Sequence, residues 1–225
     1  MSLRASLRSS AAALLILLLG VVIGMLGARV LDHEQRVAKL PSAGRVDVGF
    51  AQAMSAHHDQ AMTMCRIVSP TASGAVGQIA HAIETTQLLE LGQMQGWLNV
   101  WGQPQLPQAR IMDWMLPRTG ALEPRWSAYL GACSASPAGM QGMASDAELD
   151  RLRALVGSER DRLFLQLMIR HHQGALPMAE FAAAHAETPA VRSFAARVVY
   201  EQGLEIVRLR QVLASSPGLA AERQP

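Results

Sequence analysis

Two histidine doublets, His57-His58 and His171-His172, are the residues of this 225-residue chain whose type and spacing best suit chemistry. Neutral imidazole is a common metal ligand. Burying four such rings in a helical interior costs free energy unless each finds a partner. A thioether stands three residues before each doublet, Met54 and Met168, and another follows each, Met64 and Met178. Imidazole and thioether together suit a soft ion such as Cu(I) better than a hard one. Side chains able to orient the rings from behind recur too: Glu90 and Gln87, Glu205 and Gln202, Asp47 and Asp161. Met140 and Met143, in a loop, are candidates for metal capture. The competing reading of these residues is structural. The histidines then hydrogen-bond to Glu and Gln across the interior, the methionines fill the core, and the two aspartates are N-caps.

The elements that must position these residues follow from an internal repeat. Asp47, Phe50, Met54, His57, His58, Ala61 and Met64 recur as Asp161, Phe164, Met168, His171, His172, Ala175 and Met178, every pair offset by 114 positions. Gln87, Glu90, Leu91, Met94 and Leu98 recur one position further on as Gln202, Glu205, Ile206, Leu209 and Leu213. Steps of three and four place the first set along one seam of a helix. The second histidine of each doublet lies about 100° round from the first, so one doublet offers ligands in two directions. Each half reads as a helix carrying a doublet followed by a helix carrying Gln-x-x-Glu. Two such hairpins predict an all-α four-helix bundle with a long crossover. Each doublet lies about 15 Å from its helix start, at 1.5 Å per residue. The doublets therefore sit at similar heights whether their helices run parallel or antiparallel.

Composition agrees with an all-α chain. Aromatics are 4%, and good helix formers dominate. Helices are expected over about 47–68, 75–100, 147–156, 159–185 and 189–213, with short helical pieces near 111–116 and 124–130. Ser145 to Glu148 reads as a capping box, and Pro177 should kink the second doublet helix. The expected organisation is an N-terminal segment 1–28, a stalk 29–45, a bundle domain 46–214 and a disordered tail 215–225. The bundle divides into repeat 1 (46–101), crossover (102–157) and repeat 2 (158–214).

The formal charge of +2 resides in Arg4 and Arg8, which leaves 18 residues of each sign in the remainder. A neutral domain with few aromatics gives no footprint for nucleic acid. After those arginines an uncharged apolar run spans Ala11 to Ala28. It reads as an uncleaved signal anchor, with a cleaved signal peptide and a buried soluble helix as alternatives. The basic flank places the N-terminus in the cytoplasm and exports the rest, either membrane-anchored or secreted. Export makes a disulfide between Cys65 and Cys133 an expectation. His33, His81 and His185 match nothing in the repeat and read as incidental surface residues.

The pattern Asp-x-x-Phe-x-x-x-Met-x-x-His-His-x-x-Ala-x-x-Met, followed by Gln87…Glu90-Leu91…Met94…Trp97-Leu98, resembles the bacterial "domain of unknown function 305" family. The Gly139-Met140-Gln141-Gly142-Met143 lead-in to the second copy is similar to that family too. The resemblance covers about residues 46–214. It implies a ferritin-like four-helix fold and an exported location, and some members are associated with copper binding or tolerance. The chain departs from the family pattern at Pro177, at Cys65 and in the short alanine-rich segment ending at His185. The leading expectation is an extracytoplasmic metal-binding protein that sequesters copper, more a binder than an enzyme. The alternative is a structural or partner-binding bundle, with homo-oligomerisation open. A di-iron oxidase ranks lower because no Glu-x-x-His is present, and His-Glu-x-x-His is absent as well.

Overall fold

The computed structural model describes residues 17–31, 42–72, 74–108, 110–117 and 119–215. Most of the expected stalk and all but the first residue of the expected tail lie outside these. The described residues hold seven α-helices, one 3-10 turn and no strand. In chain order they are α1 (17–31), α2 (Arg45–Val68), α3 (Gly74–Val100), α4 (Pro124–Ala135), α5 (Asp146–Ala154), α6 (Gly157–His185) and α7 (Pro189–Ser215). The 3-10 turn, Asp113–Met115, lies between α3 and α4. The chain divides into two compact units, Met1–Ser42 and Ala43–Pro225.

In the first unit, α1 is exposed along its described length. No helix among the described residues is long and apolar enough to cross a membrane. The expected anchor is therefore not supported among the described residues. The start of the apolar run, before residue 17, lies outside the described residues.

In the second unit, local chemistry sets the helix ends. The Asp47 carboxylate accepts from the Gly44 amide at 2.8 Å, closing the first turn of α2. Ser145 and Glu148 form the expected capping box at the start of α5. Thr188 Oγ1 accepts from the Val191 amide, with Pro189 at the first position of α7. Pro177 lies inside α6, which continues to His185.

Short connectors fold α2 against α3 and α6 against α7, and α2 packs directly on α6. Two sets of bonds make α2 and α6 antiparallel. At one end, the start of α2 meets the corner after α6: Asp47 accepts from the Thr188 amide at 3.0 Å and its hydroxyl at 2.7 Å. At the other, Arg160 near the start of α6 donates to Thr71 just beyond α2. The α3–α7 contact is much sparser than the α2–α6 contact. The crossover turn, α4 and α5 pack on α2 and α6.

The core forms two clusters. One holds Phe50, Met54, Met94, Met140, Met178 and Phe194, with Trp114 and Trp126 from the crossover. The other holds Met64, Cys65, Ile83, Phe164 and Met168. Cys65 belongs to the second cluster and Cys133 to the first; both are buried free thiols. The expected disulfide is thus corrected. Each thiol is packed as an apolar side chain in a different part of the interior. Burial also pushes the Cys65 thiol up to about 12, so no thiolate forms there at neutral pH.

Candidate metal centre

Antiparallel packing brings the midpoints of α2 and α6 together, and each midpoint carries a doublet. All four histidines are fully buried. The first members meet: the His57 and His171 ring centroids are 3.7 Å apart, with their planes tilted by 43°. The second members point outward to the companion helices. His58 Nε2 lies 2.7 Å from Glu90 Oε2 on α3, and His172 Nε2 lies 2.7 Å from Glu205 Oε2 on α7. The 100° step within each doublet produces this division. One imidazole faces its counterpart, and the next faces a carboxylate.

Protonation follows from burial. Desolvation, reinforced by the neighbouring His58, holds His57 down at about 3. His171 is likewise held well below the ordinary imidazole value, by burial first and by His57 and the other rings second. Both facing rings are therefore neutral at pH 7, the form that binds metal.

Partner bookkeeping singles out the centre. His171 has neither ring nitrogen hydrogen-bonded, and the Nδ1 atoms of His57, His58 and His172 are also without partners. His57 Nε2 lies 3.3 Å from the Gln141 carbonyl. Five buried ring nitrogens thus lack hydrogen bonds, where native interiors leave few polar atoms unpaired. In the two outer pairs a carboxylate holds Nε2, and Nδ1 is the ring nitrogen without a hydrogen-bond partner. That is how second-layer carboxylates prepare an imidazole for a metal. The donor set therefore fits a bound ion.

The thioethers flank this layer in a way the sequence pattern did not anticipate. Because α2 and α6 run oppositely, Met54 shares a cluster with Met178, and Met64 with Met168. Each end thus combines the sulfur before one doublet with the sulfur after the other. All four are fully buried. Met94 joins the Met54 side from α3. Met140, expected in a capture loop, is buried, and Met143 is half-buried against the first core cluster.

Other expected residues lie elsewhere. Asp47 and Asp161 sit ten positions before their doublets, about 15 Å along the helix. Asp47 is buried and bonded to Gly44, Glu187 and Thr188, so it ties α2 to the α6–α7 corner. Asp161 lies 3.4 Å from Arg160. Neither orients a histidine, and the expectation that they stand behind the rings is corrected. Gln87 and Gln202 are buried with neither amide atom partnered. His81 and His185 are exposed, and His33 lies outside the described residues. Among the described residues, no three His, Cys, Asp or Glu side chains are grouped so as to hold a metal ion. A centre here needs sulfur donors as well.

Sequence reasoning missed the lid. Gly142, at φ +81°, brings the 139–143 loop onto the backbone of α6 beside Arg170 and His171. A Cβ on Gly174 would stand 2.5 Å from the Gln141 carbonyl carbon and 2.7 Å from Gly142 Cα. Tyr129 pins the same point, its hydroxyl donating to the Gly174 carbonyl at 2.9 Å. Arg170, next to His171, holds Glu148 by two bonds of 2.7 and 2.6 Å. That guanidinium keeps the Glu148 carboxyl at about 2. The glycine pair was the available signal: Gly142 in the loop and Gly174 two residues after the second doublet.

Comparison with known proteins places the chain. No curated protein matches it. The family described as "Domain of unknown function (DUF305)" matches residues 47–213. A DUF305 protein from Streptomyces coelicolor, assigned as secreted, is 33% identical with a TM-score of 0.65, over 76% of this chain and 93% of that one. A DUF305 fragment from Deinococcus radiodurans is 30% identical with a TM-score of 0.59, over 77% of this chain and 99% of that one. CopM in its Cu(II)-bound form shares the fold at 22% identity and a TM-score of 0.54, over 75% of this chain and 95% of that one. The chain belongs to the DUF305 family.

Proposed function

We propose that this protein is an exported metal-binding protein that handles copper, built on a ferritin-like bundle of α2, α3, α6 and α7. The observation that carries the proposal is the facing pair His57 and His171: two neutral, fully buried imidazoles with unpartnered nitrogens, between methionine pairs. His57 and His171 supply nitrogen. The Nδ1 atoms of His58 and His172, backed by Glu90 and Glu205, extend the set. Met54 with Met178, and Met64 with Met168, supply thioethers. Such a set favours Cu(I), and borderline ions bind it less well. The copper-bound CopM structures support the choice of metal. The secreted assignment of the Streptomyces relative supports export.

Copper here is cargo. The chain's own part is to present His57 and His171 uncharged in a dry interior, so that binding at these two rings displaces no proton at neutral pH. The test is competition of the full-length protein against a chromophoric Cu(I) chelator. Submicromolar affinity is expected, with at least a tenfold loss in His57→Leu/His171→Leu. Affinity weaker than micromolar for Cu(I) and Cu(II) alike rejects the reading. A purely structural role has one observation in its favour: the two His–Glu pairs are complete without metal. It leaves His171 unexplained.

A further inference from the structure

We propose that the 139–143 loop is a latched door to the buried histidines, held shut by Gln60, and that Met143 in this loop is the side chain that first takes up the soft metal ion. The door stands on geometry alone. The receiving role of Met143 rests on the copper reading above.

The donor set is sealed. His57, His58, His171 and His172 are fully buried, and so are Met54, Met64, Met168 and Met178. Interiors at native packing density leave no ion-sized channel, so an ion reaches these side chains only when backbone moves. Parting α2 from α6 would break both core clusters. The 139–143 loop offers a smaller movement. It is non-helical backbone laid directly on the histidines. The Gln141 carbonyl lies 3.3 Å from His57 Nε2, and a Cβ on Gly142 would stand 3.0 Å from the His171 carbonyl oxygen. Gly139, at φ +70°, and Gly142, at φ +81°, bracket the part that must swing. Glycine changes conformation there without steric cost, which makes the two positions hinges. Segments held by few bonds open at the low end of a protein's range of free energies.

The latch is Gln60, three residues after His57 on α2. Its side-chain amide donates to the Ala144 carbonyl at 2.8 Å and accepts from the Ala144 amide at 2.7 Å. One side chain thus pairs with both backbone groups of the residue that ends the loop, much as a neighbouring strand would.

On the outer side lies a surface cavity of about 600 Å³, with Gln60, Met143, Ser145, Glu148 and Arg170 in its wall. Latch and thioether therefore share one cavity. Met143 is half-buried, in contrast to the fully buried methionines beside the histidines. Glu148 pairs with Arg170 at 2.6 Å, so the guanidinium does not stand there uncompensated to repel a cation. Inward, Met140 is buried in the cluster that holds Met54 and Met178. The loop's two thioethers thus connect the cavity wall with the sulfurs that flank the histidines, and thioether suits Cu(I).

The test has two arms on the full-length protein. In the metal-free arm, diethyl pyrocarbonate acylates neutral imidazole, and mass spectrometry follows His57 and His171. Both rings are neutral at pH 7, so access sets the rate. Gln60→Ala removes both latch bonds at a half-buried position and should speed the reaction about tenfold with helicity unchanged. Thr188→Val weakens the fold at the start of α2 instead and should speed it far less. In the metal arm, stopped-flow absorbance follows Cu(I) transfer from a chromophoric chelator. Gln60→Ala should speed uptake. Met143→Leu conserves volume and removes the soft donor, so it should slow uptake about tenfold and leave the imidazole reaction unchanged. An unchanged imidazole rate in Gln60→Ala, or an equal rise in Thr188→Val, overturns the door whatever copper does. Unchanged uptake in Gln60→Ala means that the ion enters elsewhere and overturns the route. Unchanged uptake in Met143→Leu removes that side chain from it. No Cu(I) binding by the wild type overturns the function proposed above and the role of Met143 with it, while the imidazole arm still decides the door.

Discussion

Gly174→Ala tests the lid over the histidines, and a second glycine calibrates it. Replacing glycine by alanine inside a helix ordinarily stabilises by about 0.8–1 kcal/mol, because the unfolded chain loses freedom and the helix gains propensity. Gly92 on α3 has open space where a Cβ would go. Gly92→Ala should therefore stabilise by about that amount. At Gly174 the added carbon would stand 2.5 Å from the Gln141 carbonyl carbon, with the Gln141 oxygen nearer still. These are backbone atoms, so no side-chain rotation relieves the clash. The 139–143 loop must lift by about 1 Å. Overpacking of this kind costs roughly 1–3 kcal/mol. Lifting also weakens the Tyr129–Gly174 bond of 2.9 Å, worth about 1 kcal/mol. After the propensity gain, the net destabilisation is about 1–3 kcal/mol. The difference between the two variants is then about 2–4 kcal/mol. Urea denaturation followed by far-UV circular dichroism reads this as opposite shifts in midpoint at similar slope. Equal shifts for the two variants would refute the close approach of loop and helix.

Three further outcomes follow from the same geometry. The metal-free protein should lose stability as pH falls from about 6.5 toward 3: the unfolded chain gains protons on histidine in that window and the folded state does not take one at His57. His57 alone should contribute a slope of about 1.4 kcal/mol per pH unit, and His171 the same sign. A flat stability profile between pH 6.5 and 4 would contradict neutral buried rings. Thiol titration without reductant should find no reactive cysteine in the native protein and two after denaturation, since Cys65 and Cys133 are free and buried; recovery of no thiol would restore the disulfide. Met54→Leu/Met168→Leu conserves volume, so it should cost less than about 1.5 kcal/mol of stability per site while weakening Cu(I) more than Cu(II). Unchanged Cu(I) affinity would remove these sulfurs from the donor set.

Much of the helical framework was legible because the chain writes it twice. A constant offset joins Phe50 to Phe164 and His57 to His171, and a shared stripe means a shared face. Helix ends were legible where capping chemistry is local, as at Ser145–Glu148 and Thr188–Pro189. Contacts that depend on helix direction were not. Sequence spacing puts Met54 beside His57, but only antiparallel packing groups Met54 with Met178. Asp47 reads as a polar residue in register with His57, yet its partners come from Thr188, far along the chain. The disulfide failed for a similar reason. Export permits a bridge, but the two thiols are placed by packing in different clusters. The lid needed Gly142 and Gly174 to be read as one contact, and nothing in their spacing says so.

Cu K-edge X-ray absorption on the full-length protein loaded with one equivalent of Cu(I) tests the central claim most directly. Imidazole multiple scattering together with at least one sulfur scatterer at thioether distance is predicted, and the imidazole signal should be lost in His57→Leu/His171→Leu. A spectrum of light scatterers without sulfur, or one unchanged in that variant, would place the copper elsewhere and contradict the account.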